Sequence, residues 1–160
     1  MPALRPFTES EYAAWMAEAI PGFAADKVAS GQWSQAESLE LARKEHEALL
    51  PQGLATAGNH FLAILDQDAA VVGTLWFASK SRGDERIAYV YDIGIAPGRQ
   101  REGHAYHAFR ALEEEVRKMG LAGIALHVFG HNAAAQALYA KLGFRPTNIS
   151  LYKPVDAAFE

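Results

Sequence analysis

The most constraining feature of this chain is a strand that runs directly into a glycine-bearing turn and then a long helix. Ile93-Gly94-Ile95-Ala96-Pro97 ends a β-rich run, Gly98-Arg99-Gln100-Arg101-Glu102-Gly103 makes the turn, and Glu102 to Met119 is strongly helical before Gly120, a C′ glycine. A second β-rich run, Ile124 to Val128, follows at once. A right-handed crossover then makes the strand before Pro97 and the strand at Ile124 parallel neighbours. The turn itself carries chemistry. The first amides of a helix lack intrahelical partners and its dipole adds partial positive charge there, so a phosphate can be held by backbone alone. Gly103 and Ala105 keep that approach free of side chains.

The rest of the chain is read around this unit. A short strand at Ala3 to Pro6 is expected, then two helices. Thr8-Glu9-Ser10-Glu11 and Ser34-Gln35-Ala36-Glu37 both fit the capping box. The first helix should stop near Ile20 at Pro21-Gly22; the second should carry Leu39, Ala42, His46 and Leu49 on one face before Pro51-Gln52-Gly53. Phe61 to Asp66, Ala70 to Ser79 and Arg86 to Ile95 are apolar runs separated by Asp66-Gln67-Asp68 and Lys80 to Asp84, which reads as an antiparallel meander. A last helix from Asn132 to Leu142 ends at Gly143, with Phe144 and Asn148 to Lys153 left to form final strands. The expected fold is α/β: one domain over residues 1–160, with about four helices on a mixed, mostly antiparallel sheet.

Composition narrows the partners. No run approaches the roughly 18 apolar residues of a membrane span, and the N-terminus has no apolar leader, so the expectation is a soluble, cytoplasmic protein. Zero Cys excludes thiolate catalysis and Cys-based metal sites. His104 with His107, and His127 with His131, lack a carboxylate to complete a metal set, so no metal is expected. A net charge of −4 argues against nucleic acid and for small molecules or peptides. The sequence leaves the oligomeric state open, a homodimer included.

A second stretch makes the reading specific. Gln100, Gly103 and Ala105 fill the acetyl-CoA loop of the Gcn5-related N-acetyltransferase (GNAT) family, and Leu126 to Val128 resembles the family strand that follows. Asn132, Ala135, Leu138, Tyr139, Leu142, Gly143 and Phe144 match its next signature. The similarity spans about residues 58–153, and Gly31-Gln32-Trp33 with Leu49 to Gly53 resembles an uncharacterised bacterial branch. The resemblance implies a splayed sheet and acetyl transfer from acetyl-CoA to an amine by direct attack in a ternary complex. It places the acetyl-CoA-binding core at 58–153, with acceptor-side helices in residues 1–57. It implies cofactor contacts from Ile93, Ile95, Gln100, Arg101, Glu102, Gly103, His104, Ala105, Asn132, Ala135 and Tyr139, and gives Tyr139 as the acid. Glu102 departs from the family's usual loop residue, and its carboxylate is expected to point away from the phosphates.

A phenol near pKa 10 is protonated at neutral pH and can donate to a departing thiolate. Asn132 precedes Tyr139 by seven residues, about 20° around the helix, so both can address one ligand. The base is left open between His127, Asp92 and a water chain. Strict alternation puts Tyr89, Tyr91 and Ile93 on one face and Val90 and Asp92 on the other. The resemblance implies that this tyrosine face lines the acceptor site, with Tyr89 and Tyr91 on the acceptor side, joined by Trp33 from the loop before the second helix. His127, between Leu126 and Val128, would face the same side if those two face the helices. Two rival functions stand beside this one: a noncatalytic acyl-CoA-binding module, and an acyltransferase using another acyl donor or an oxygen acceptor.

Overall fold

A computed structural model describes residues 3–155. Five strands lie in chain order in one sheet: β1 (Ala3–Pro6), β2 (Asn59–Leu65), β3 (Val71–Arg82), β4 (Glu85–Ile95) and β5 (Ile124–Leu126). The first four are antiparallel neighbours, and β5 runs parallel to β4, as the crossover requires. The helices are α1 (Glu9–Ala29), α2 (Gln35–Leu49), α3 (His104–Lys118) and α4 (Ala133–Lys141).

Each face of the sheet has its own core. On one face Ile64, Val72, Leu75, Phe77, Ala88 and Val90 pack against Ala108, Phe109, Leu112 and Val116, the apolar stripe of α3. On the other, Phe61, Ala63 and Trp76 pack against Phe7, Trp15 and Leu50, with Tyr12, Met16 and Tyr91 at the margin. That second core is largely aromatic, and it lies beneath α1 and α2.

The N-terminal helices depart from expectation in instructive ways. Thr8 caps α1 with a full capping box: its hydroxyl accepts from the Glu11 amide at 3.2 Å and the Glu11 carboxylate accepts from the Thr8 amide at 2.9 Å. The helix then runs through Pro21 to Ala29 instead of stopping near Ile20. An interior proline costs about 3 kcal/mol. Beyond it, Phe23 packs edge-on against His46 and Trp33, both at 5.6 Å, and Ala24 is buried, and this packing outweighs the local preference. Ser34 takes the N-cap position of α2, but its side chain makes no capping bond. The buried face of α2 is Ser38, Ala42 and His46; Leu39 and Leu49 are 57% and 38% exposed. Residues four apart share a helix face, and the small Ser38 and Ala42 let α2 lie close to α1.

The hairpin between β3 and β4 is longer than its sequence suggests. The strands pair out to Arg82 opposite Glu85, leaving Gly83-Asp84 as the turn with Gly83 at φ +60°. Arg86 holds the strand ends by donating to Ser79 and Ser81, each at 2.9 Å. β5 is shorter than the expected Ile124 to Val128, and the expected final strands do not form among the described residues: Phe144 packs beside Tyr139 and Phe109, and 148–153 stay exposed. A three-residue β5 offers too little edge to seat another strand.

Candidate active site

The site lies where β4 and β5 part. They pair only from Ala88 to Val90, so beyond Val90 the β5-facing edge of β4 has no strand beside it among the described residues. An edge of this kind can pair with an extended, amide-bearing ligand. Gly73 opposite Ile95 lets β3 approach this stretch: a Cβ at position 73 would stand 2.4 Å from the Gly94 carbonyl oxygen.

The turn after β4 places two left-handed residues just before α3. Gln100 donates to the Ile95 carbonyl at 3.2 Å, Arg101 adopts φ +67°, and Gly103 caps α3 at φ +84° with no side-chain capping bond. Left-handed positions in a turn gather successive amides into a concavity, and the start of α3 adds its own unpartnered amides. The His107 amide bonds to the Gly103 carbonyl, so the helix ladder begins above the opening. Glu102 does not stand unpaired there: its carboxylate takes hydrogen bonds from His104 at 2.8 Å and Arg99 at 3.1 Å, and these hold it below the usual carboxylate range. Arg99 also reaches Asp66 at 3.0 Å. These features fit the pyrophosphate of a nucleotide-type cofactor.

On the next helix Asn132 caps α4 by accepting from the Ala135 amide at 3.1 Å, and Gln136 pins the preceding loop through the carbonyls of Phe129 and Gly130. Tyr139, half-buried, packs edge-on against Phe109 at 5.6 Å and Phe144 at 5.6 Å. Its hydroxyl has no partner among the described residues. Burial pushes the Tyr139 phenol up, and the Asp92 carboxylate adds to the shift, so the proton stays on oxygen at neutral pH.

The acceptor-side face differs from strict alternation. Trp76 opposes Asp92 but Phe77 opposes Val90, so Tyr91 is the extra residue of a β-bulge. The bulge puts Tyr91 and Asp92 on one face with Tyr89, and Ile93 moves to the α3 side, where it packs with Ile95 on the first core. Tyr91 stacks on Trp76 at 4.5 Å, and Lys80 sits 4.8 Å over the Tyr89 ring and 3.2 Å from the Tyr91 hydroxyl. Asp92 accepts from the Trp15 indole at 3.0 Å; burial pushes its carboxyl up against the lowering effect of that bond. Trp33 joins the far end of this face through Phe23, with Lys27 5.3 Å over its ring. His127 lies just past β5, exposed and edge-on to Phe129 at 4.9 Å, and makes no hydrogen bond among the described residues.

Residues 25–144 match the model of the Acetyltransferase (GNAT) family. The chain belongs to this family. It is 31% identical over 150 residues to the uncharacterized N-acetyltransferase YdgE of Bacillus subtilis, covering 94% of this chain and 96% of that one. The crystal structure of YycN from the same organism superposes with a TM-score of 0.92 at 29% identity, covering 97% of this chain and 99% of that one. A mycothiol acetyltransferase of Renibacterium salmoninarum is 32% identical over 145 residues, 89% of this chain but 40% of its own length. The branch resemblance, the splayed mixed sheet and the acetyltransferase assignment all agree with these relatives.

In this acetyltransferase the turn residues follow directly on the end of β4, Asn132 and Ala135 lie at the start of α4, Tyr139 further along α4 packs in one core with Ile93 and Ile95, and Tyr89 and Tyr91 lie on the aromatic face, to which Phe23 joins Trp33. Two residues of that face escaped sequence reasoning. Trp15 and His46 sit on helices whose local pattern marks them only as buried, and nothing in sequence says that these helices cover Asp92. Among the described residues no three His, Cys, Asp or Glu side chains gather to hold a metal, and no helix is long and apolar enough to cross a membrane.

Proposed function

We propose that this acetyltransferase transfers acetyl from acetyl-CoA to a primary amine of a small molecule or peptide, in a ternary complex. One observation carries the reading: Tyr139 packs with Phe109 and, in the same core, with Ile93 and Ile95, the residues of β4 beyond its pairing with β5, and its hydroxyl has no partner among the described residues. Acetyl-CoA supplies the activated acetyl group and the thiolate leaving group. The turn from Gln100 to Ala105 holds its phosphates through amides and Arg101, Asn132 and Ala135 line the start of α4, and the free edge of β4 at Ile93 and Ile95 holds its amide-bearing arm. Tyr139 Oη gives its proton to the sulfur as charge develops there. The acceptor enters over Tyr89 and Tyr91, with Trp33 at the outer end, and an ammonium group is drawn to aromatic faces. His127, exposed past β5, passes the released proton to water. The reading places the enzyme in the cytoplasm.

Tyr139→Phe tests it. The ring and its packing on Phe109 stay, the proton goes, and kcat should fall about 10²- to 10⁴-fold while acetyl-CoA binding survives. Near-normal kcat, or equal loss of binding and turnover, would remove the acid role and favour a binding module.

A further inference from the structure

Ser38 and His46 are the buried polar residues of the described chain, and the chemistry above uses neither. His46, on α2, is 7% exposed and walled by the rings of Trp15 at 6.1 Å, Trp76 at 6.0 Å and Phe23 at 5.6 Å. Its Nδ1 is 3.0 Å from the Ala42 carbonyl oxygen. A carbonyl only accepts, so Nδ1 carries a proton and donates, and Nε2 is the nitrogen left to gain or lose one. Nε2 has no hydrogen-bond partner among the described residues, yet no fully enclosed side-chain nitrogen or oxygen there lacks one, so Nε2 is not sealed from solvent. Trp15 ties this histidine to the reaction centre: its ring packs on His46 and its indole donates to Asp92.

We propose that His46 Nε2, directly or through one water, takes the proton from the acceptor ammonium on the side of α2 that faces Trp15 and Trp76. The proposal rests on the amine-acetylation reading above. An N–H bond of the ammonium breaks, its electron pair stays on nitrogen for attack at the acetyl carbon, and the proton binds Nε2. As the new C–N bond forms and the C–S bond breaks, Tyr139 protonates the sulfur, and the second N–H bond of the acetylated nitrogen breaks, its proton replacing the one that Tyr139 gave. Nitrogen thus loses two protons, one held by His46 until it passes to water and one that makes up the thiol through Tyr139. Among charged groups, Asp92 on β4 feels His46 directly; Asp26 on α1, which His131 reaches at 3.1 Å, acts on Asp92; and Lys27 lies 5.5 Å over the Phe23 ring that packs on His46. A histidine serving only the aromatic core has no need of an open, unpartnered nitrogen.

Two measurements test this. Long-range 1H–15N spectra of the wild-type protein read the tautomer directly: protonated Nδ1 with a free Nε2 supports the proposal, and a proton on Nε2 with Nδ1 bare overturns it. The second follows free-thiol release from acetyl-CoA with spermidine, tyramine, kanamycin and a lysine tetrapeptide across pH. His46→Gln should lower kcat/KM about 10²-fold at pH 7, lose the acidic limb of the profile and leave the acetyl-CoA melting shift intact. His46→Asn keeps an amide donor near the Nδ1 position and covers a folding failure of the first variant. Stability restored without rate supports the proposal; rate restored with it, or an acidic limb retained in either folded variant, overturns it. No turnover of any amine, beside a free Nε2, overturns the amine reading rather than the placement of that nitrogen.

Discussion

Asp92 illustrates how a single buried acid makes stability depend on pH. Its carboxyl is pushed up by burial, so the folded chain holds that proton to higher pH than the unfolded chain does. The sign follows: its contribution is most favourable below the ordinary carboxylate range and is lost as pH rises through the raised value. Asp92→Asn should therefore melt with wild type near pH 3.5 and above it at pH 8, while turnover falls; a constant difference across pH would discount the buried charge. Gly103 is the opposite case, fixed by backbone. At φ +84°, any side chain is strained by about 1–2 kcal/mol, and Gly103→Glu adds bulk and negative charge at the phosphate turn. Its acetyl-CoA melting shift should vanish, whereas Gly103→Ala should lose stability and keep part of the shift. Retained tight binding in Gly103→Glu would place the cofactor elsewhere. The motif residues Gly103, Asn132 and Tyr139 were legible because their spacing is local. His46 and Trp15 were not, because their partners lie on a distant strand.

At the scale of elements, the N-terminus of α1 is the clearest self-contained unit. Arg5 grips Glu11 through two bonds at 2.9 and 2.8 Å, and with the Thr8 amide it holds the Glu11 carboxyl at about 2, well below its ordinary value of 4.5. Stability from this lowered group is present above the ordinary value and lost as pH falls toward about 2. Glu11→Gln should thus lower the melting temperature at neutral pH, and its deficit should shrink through that acid window. Thr8→Ala removes the hydroxyl half of the box and should cost about 1 kcal/mol, a few degrees of melting temperature for a chain this size. Helix starts of this kind are written in sequence. Helix ends and strand faces were less so: Pro21 is overruled by Phe23 and Ala24 packing on other elements. The Tyr91 bulge resets the alternation of β4 from a register visible only once β3 is beside it.

For the whole molecule, the order of elements was readable from the strand, turn and helix at 93–119, since a parallel β5 follows from the hand of the crossover. What sequence could not give is how briefly β4 and β5 meet. Acetyl-CoA at 100 times its dissociation constant should stabilise the fold by about 2.7 kcal/mol, read as a rise in melting temperature. No rise at millimolar cofactor would sink the binding assignment. The three-residue seam between β4 and β5 has a mechanical meaning. The four antiparallel strands are one plate, and β5 with α4 is a flap held to it by this short seam and by the packing of Tyr139 and Phe144 on Phe109. A donor arm lying in the gap would act as mortar, and each turnover would take that mortar out again. Amide hydrogen exchange in β5 and α4 should slow when acetyl-CoA is bound and recover as the donor is spent, while β2 and β3 stay unchanged throughout.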